Sequence, residues 1–276
     1  MYWMRRAVVG ATVACLLGCG LARAQEAAAP AAGTDLGALA KLAQNPVANL
    51  NTIPFQWNFY SGGGLRSQSM MVLNVQPVLP LQINEDWIVV SRTVIPFVNL
   101  PGAGTERFQG IADIQQQFYF TPTGGEGLIW GAGPIFSFPT SNQEATETGQ
   151  YAAGPTAVAL SIGKTWVYGG LVNHLWKVAG SDETSKINST FIQPFLNFNL
   201  PGGWAISSSP GITANWEAES GQQWTVPLGL GFSKVTVVAK IPLNVLLQYY
   251  GNAVRPDNAP AGFVRMQFSL MFPRAK

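Results

Sequence analysis

The chain has 276 residues, of which 47% are hydrophobic and only 11% charged, and its formal net charge is +2. A soluble domain carries about a quarter of its residues as charges, so this composition does not provide an ordinary solvated surface, and the near-neutral balance gives no electrostatic footprint for nucleic acid. One histidine, His174, and two cysteines, Cys15 and Cys19, cannot assemble the usual zinc ligand sets. No metal or cofactor is expected.

At the amino terminus Arg5-Arg6 precede an uncharged apolar run from Ala7 to Gly20, followed by Ala22-Arg23-Ala24. A basic start, a short apolar stretch and a small-x-small site define a secretory signal peptide, residues 1–24, cleaved before Gln25 and too short to span a bilayer. Leu16-Leu17-Gly18-Cys19 also resembles the box before a lipidated bacterial cysteine, which would anchor the amino terminus instead. The Ala-Arg-Ala site favours cleavage before Gln25. That cleavage removes Arg5, Arg6 and Arg23 and both cysteines, leaving 16 − 3 = 13 basic against 14 acidic residues, a charge of −1. No later segment reaches the roughly 18 apolar residues of a membrane helix.

Residues 25–52 form a leader. Gln25 to Thr34 is Ala-rich and aperiodic, whereas Leu36, Leu39, Ala40, Leu42 and Ala43 recur at helical spacing between a cap at Thr34 or Asp35 and the stop Asn45-Pro46. A helix this short is marginal alone. Either it docks on the periplasmic mouth or interior of a barrel, or it is a frayed end.

From Ile53 the period changes to two, and residues 53–276 are assigned to a barrel. Ile53, Phe55, Trp57 and Phe59 oppose Pro54, Gln56, Asn58 and Tyr60. The polar faces carry Asn, Gln, Ser and Gly rather than Lys and Glu, which suits a confined, wet lumen. Twelve strands are predicted, near 53–60, 70–83, 87–98, 109–121, 128–138, 151–162, 165–178, 188–199, 204–216, 223–233, 241–250 and 262–272. Alternation is clear in 70–83, 223–233 and 262–272, weak in 151–162 and ambiguous in 165–178. The fold class is therefore all-β, a twelve-stranded antiparallel transmembrane β-barrel with a short N-terminal helix.

Turns are alternately tight and long. Asn84-Glu85-Asp86, Gly124 to Gly127, Gly163-Lys164 and Pro201-Gly202-Gly203 are tight, and each is followed shortly by a tryptophan: Trp87, Trp130, Trp166 and Trp204. Tryptophan favours the membrane–water interface, so these four are expected to form one girdle at the periplasmic rim, with the longer links extracellular. Proline argues the other way. Pro77, Pro80, Pro96, Pro134, Pro155, Pro194, Pro210, Pro227 and Pro242 fall inside the strands, yet a closed barrel has no edge for a missing N–H. Each is expected at a bulge or wide pair, or else the strand ends are misplaced.

Charge on strand faces marks the lumen, because a lipid-facing Arg or Lys at mid-membrane costs about 2 to 4 kcal/mol. Arg92, Asp113, Gln193, Arg265, Lys177 and Glu217 are the candidate lumen-lining residues. Structural ion pairing is favoured over pore selection. A turn centred between Gly102 and Ala103 predicts a cross-strand pair of Arg92 with Asp113.

Several segments resemble a bacterial outer-membrane family labelled "transporter" or neuromedin U, related to the barrel family of the phenol meta-degradation pathway. The likeness rests on Gln44 to Ala48, Asn74 to Pro80, Asp86-Trp87 through Ser91-Arg92-Thr93 to Ile95-Pro96, Trp130 to Pro134 and Gly154-Pro155-Thr156. It continues in Asn173 to Trp176, Phe191 to Phe195, Gln223 to Pro227 and Leu270 to Pro273. The resemblance implies an outer-membrane barrel passing small, hydrophobic or aromatic molecules, and it carries no catalytic residue. The expected function is thus passive, selective passage of small molecules across the outer membrane of a Gram-negative cell, by a porin-like channel whose partners are the lipid bilayer, small solutes and the barrel-assembly machinery. The alternative is a structural or adhesive barrel with an occluded lumen. An enzyme is not expected: a barrel phospholipase needs a histidine and a serine two apart on one strand, whereas Trp176 stands two after His174 and the nearest downstream serine, Ser181, lies in a loop.

Overall fold

The computed structural model describes residues 35–63, 68–102, 106–124, 127–142 and 146–273. The expected signal peptide, Cys19 and the leader 25–34 lie outside them. One helix, α1 (Leu36–Ala43), precedes twelve strands: β1 (Leu50–Gly63), β2 (Gln68–Val75 and Val78–Gln82), β3 (Trp87–Pro101), β4 (Arg107–Ile111 and Ile114–Pro122), β5 (Leu128–Phe138), β6 (Gln150–Ile162), β7 (Trp166–Gly180), β8 (Asn188–Asn199), β9 (Trp204–Ser208 and Ile212–Asn215), β10 (Trp224–Val238), β11 (Ile241–Val254) and β12 (Gly262–Pro273). Each strand pairs antiparallel with the next, and β12 closes on β1 from Leu50↔Pro273 to Ser61↔Gly262. The sheet is a closed barrel with no edge.

The prolines fit because an antiparallel residue hydrogen-bonds to only one of its two neighbouring strands. Pro77 and Pro210 occupy the interruptions of β2 and β9, and Pro227 sits at a register shift against β11. Pro134 and Pro155 stand opposite each other, and on their other sides the ladders are interrupted. Pro194 is level with Pro210, between the two paired stretches of β8 and β9. Pro96 faces the interruption of β4, where Ala112 N–H still reaches its carbonyl at 2.9 Å. Pro80 and Pro242 lie just past the ends of the β1–β2 and β11–β12 ladders.

One register differs from expectation. The β3–β4 turn closes Pro101 on Arg107, and the interruption at Ala112-Asp113 then adds a residue, so Arg92 stands opposite Gln117 rather than Asp113. A later turn centre and a one-residue bulge together displace the pairing by four positions. Past the bulge the total shift is even and Ile114–Pro122 keep the expected faces, whereas before it the shift is three and Arg107–Ile111 take the opposite ones, Gln109 facing outward and Gly110 inward opposite Val98.

The leader takes the docked alternative. Asp35 caps α1, its carboxylate accepting from Gly37 N–H at 2.9 Å and Ala38 N–H at 3.1 Å. Leu36, Leu39, Ala40 and Ala43 pack with Ala48, Leu50, Val235 and Met271. Gly203, at φ +78°, lies against the helix: a Cβ there would be 3.1 Å from Leu36 Cβ and 2.9 Å from the Val235 carbonyl oxygen. Gln44 and Asn199 exchange amide hydrogen bonds at 2.9 and 3.2 Å. Beyond the helix, Val47 enters the barrel and is buried with Ile88, Val90, Tyr119, Val158, Leu160, Val167, Leu171 and Phe195. This cluster explains the weak alternation of β6 and β7. Val158, Leu160, Val167 and Leu171 point inward and are apolar because they cover Val47, so both faces of those strands are greasy.

Candidate functional site: a divided lumen

Among the described residues the barrel interior encloses a cavity of about 580 Å³ towards the long loops and one of about 190 Å³ towards the tight turns. Asn58, Tyr60, Asn173, Phe191 and Phe263 line the first; Pro46, Ala48, Phe195, Asn197 and Asn244 line the second, so the docked leader forms part of its wall. Gln56, Gln76, Arg92, Gln193 and Arg265 line both. These five polar side chains are the partition between the compartments.

Arg92 projects from β3 between β2 and β4. Its guanidinium donates to Gln76 Oε1 and, at 3.4 Å, to Gln117 Oε1. Gln117 Oε1 also accepts from the buried Tyr119 hydroxyl at 2.7 Å, which accepts in turn from Thr156 Oγ1 at 3.0 Å. Arg265 projects from β12 between β1 and β11 and is 6% exposed. Its Nε donates to Asn58 Oδ1 at 3.0 Å and its Nη1 to the Ser209 carbonyl at 2.8 Å. The guanidinium lies 5.2 Å from the Tyr250 ring centre and 5.4 Å from that of Phe263. Gln193 donates to the same Ser209 carbonyl at 3.3 Å, and Tyr250 Oη accepts from Ser209 N–H at 2.7 Å. The interruption of β9 is what frees this backbone: Ser209 has no ladder partner on either neighbouring strand and is held by the partition instead.

The expected Arg92–Asp113 ion pair is not formed. Asp113 lies in the β4 interruption, where its carboxylate accepts from Ser141 N–H at 3.0 Å and Thr148 Oγ1 at 2.6 Å. Among the described residues the only ion pair joins Lys177 and Asp182. Structural pairing therefore fails as the account of the lumen arginines, whose partners are neutral amides, hydroxyls and carbonyls. Lys177 and Glu217 do not line either cavity: Lys177 is tied to Asp182 and the Ser181 carbonyl, and Glu217 accepts from Asn188 Nδ2 at 2.9 Å in an exposed link. The Asp182 carboxyl is held below its ordinary range by the hydrogen bond from Lys177 and by that residue's charge. Gln56 and Gln76 were not singled out from sequence. Their signal was their place on the polar faces of β1 and β2, shared with many other amides.

Trp87, Trp166 and Trp204 begin β3, β7 and β9, and Trp130 is the third residue of β5, so all four stand at the tight-turn end. Trp130, Trp166 and Trp204 are exposed, and Trp87 packs edge-on to Trp130 at 6.0 Å. At the other end Tyr151, Trp176 and Trp216 are exposed, and Trp216 packs on Trp224 at 5.4 Å, a second aromatic band that sequence reading did not single out. His174 Nδ1 contacts Thr190 Oγ1 at 2.7 Å, while its Nε2 is buried with no partner among the described residues. The ring also packs on Trp176, centroid to centroid at 4.0 Å, and Thr190 Oγ1 accepts from Trp216 Nε1 at 2.8 Å.

No protein-family model and no curated relative matches the chain. Solved structures do. The chain resembles the COG4313 outer membrane channel from Pseudomonas putida F1 with a TM-score of 0.61 and 15% identity, covering 81% of this chain and 94% of that one. It also resembles the NanC porin, with a TM-score of 0.52 and 9% identity over 81% of this chain and all of that one. The fold is that of an outer-membrane β-barrel.

Proposed function

We propose that the protein is a channel of the Gram-negative outer membrane for passive, selective passage of small molecules, hydrophobic and aromatic ones included. The observation that carries this reading is the divided lumen: a barrel interior holding a cavity of about 580 Å³, within the size of small-molecule sites, lined by amides and aromatic rings and narrowed by five polar side chains. The likeness of the fold to a channel and a porin supports it. The tryptophans of the tight-turn end act as the periplasmic girdle, the long loops face the exterior, and the barrel-assembly machinery inserts the chain into the bilayer. Twelve strands lie between the side-chain-filled eight and the open sixteen, which accords with a narrow, selective path. The test is conductance of the folded full chain in planar bilayers together with swelling of liposomes in small solutes. Discrete currents and solute-dependent swelling are expected.

A second reading, a structural or adhesive barrel, is favoured by one observation, the burial of Val47 and docking of α1 at the tight-turn end. Silence of both the full chain and a variant whose leader has been released would support it.

A further inference from the structure

We infer that the partition formed by Arg92 and Arg265 is an anion filter that recognises small carboxylates with an apolar or aromatic body. For transport it rests on the channel reading; as a binding site it does not.

Charge is the first argument. Among the described residues the only charged side chains lining either cavity are Arg92 and Arg265. Neither makes an ion pair among the described residues. Arginine stays protonated in proteins, and Gln76, Gln117, Asn58 and Ser209 solvate the two guanidinium groups with neutral oxygens, which fix their positions without cancelling their charge. Two cations without an ion-pair partner among the described residues, in a confined passage, focus the field and raise the local concentration of anions.

Spare donors are the second argument. No hydrogen bond within the described residues uses Arg92 Nε or Arg265 Nη2, although Arg265 is nine-tenths buried. The guanidinium fork matches a carboxylate geometrically, and these unused N–H groups border the cavities. Tyr250 and Phe263 behind Arg265 keep its plane in place.

The wall is the third. Above the partition, Met70, Val72, Leu175, Phe191 and Phe263 supply apolar surface to the larger cavity. An inorganic anion would use the arginines and leave this surface wet; a neutral hydrocarbon would use the wall and leave the cations unmet. A carboxylate on an apolar body satisfies both.

The experiment uses the folded full chain and benzoate as probe, with inorganic phosphate, benzyl alcohol and benzylamine as comparison solutes, read by equilibrium dialysis and by reversal potential across a salt gradient. Benzoate should bind about tenfold or more above benzyl alcohol, phosphate more weakly than benzoate, and benzylamine least. The open channel should prefer chloride to potassium. Arg92→Gln with Arg265→Gln should abolish both preferences, Arg92→Glu alone should invert the ion preference, and Arg265→Lys, which keeps the charge, should retain it. Since Arg265→Gln removes bonds to Asn58 and Ser209 and can impair folding, Arg92→Glu, whose partners are all amides, carries the test if the double variant does not fold. Equal binding of benzoate and benzylamine, or an unchanged ion preference in folded Arg92→Glu, overturns the inference even if the channel conducts. Phosphate binding as tightly as benzoate overturns the assignment to apolar carboxylates. Benzoate binding without any current leaves the filter standing and overturns the channel reading.

Discussion

The lumen towards the tight turns and the lumen towards the long loops are built from different chemistry. On β3, Ile88 and Val90 give way to Arg92; on β7, Val167 and Leu171 give way to Asn173. The tight-turn half packs an apolar cluster around Val47 and leaves beside it a cavity of about 190 Å³, whereas the long-loop half keeps one of about 580 Å³ with amide-lined walls. A barrel interior is therefore not polar by rule. It is polar where water or solute fills it, and apolar where the chain's own leader does.

The sharpest way to break this contrast is Val47→Asp. A carboxylate placed among Val90, Leu160 and Leu171 carries a desolvation penalty of several kcal/mol, and the leader can escape it by leaving the barrel while the strands stay closed. We expect a severalfold rise in conductance and new proteolytic cleavage between Asp35 and Asn49, the barrel resisting. Unchanged protection would mean that the leader does not hold that half shut.

Next in size is Gly231→Ala on β10, where a Cβ would lie 1.9 Å from the Leu247 carbonyl oxygen of β11. The two strands must separate locally, at about 1 to 3 kcal/mol, read as a lower midpoint of thermal unfolding in detergent. Phe232→Ala, at an outward, exposed neighbour, should keep the barrel wall intact and serves as the contrast.

Tyr119→Phe probes the seam between the halves. Its hydroxyl joins Gln117 to Thr156, and losing one such bond costs about 0.5 to 1.5 kcal/mol. Because Gln117 also receives Arg92, the variant should loosen that arginine. A modest fall in the unfolding midpoint with a smaller ion preference is expected; a fall with no change in selectivity would separate the seam from the filter.

The smallest effect is expected at the long-loop rim, where Lys177, near the end of β7, meets Asp182. The folded carboxyl titrates below its unfolded value, so its contribution is present above the ordinary Asp pKa of about 3.9 and is lost as pH falls through the lower, folded value. Asp182 is fully exposed, and solvent screening keeps that contribution small. Asp182→Asn should leave the unfolding midpoint at neutral pH nearly unchanged and flatten its dependence on acid. A large shift at neutral pH would mean that the loop braces the lumen.

The twelve strands, most of the turns and outward faces, and α1 were legible in the sequence, because period two, period 3.6, caps and turn residues act over a few neighbouring positions; the two-residue turn between Val238 and Ile241 was not. Each predicted strand overlaps an observed one, and Asp35 caps α1. What was not legible depends on distant segments meeting. The β3–β4 register turned on where one loop folds and on a bulge at Ala112-Asp113; each flips the faces, and the two cancel only beyond the bulge, from Ile114 to Pro122. Asp113 was assigned to Arg92 from an assumed turn centre between Gly102 and Ala103, while the oxygens that hold Arg92 come from β2 and β4. Val47 looked like one apolar residue after a helix stop; only closure of the barrel gave it eight strand residues to pack on. Local periodicity determined the wall of this protein, and closure decided its interior, because a side chain's face is set by its own strand but its partners are set by every other strand at once.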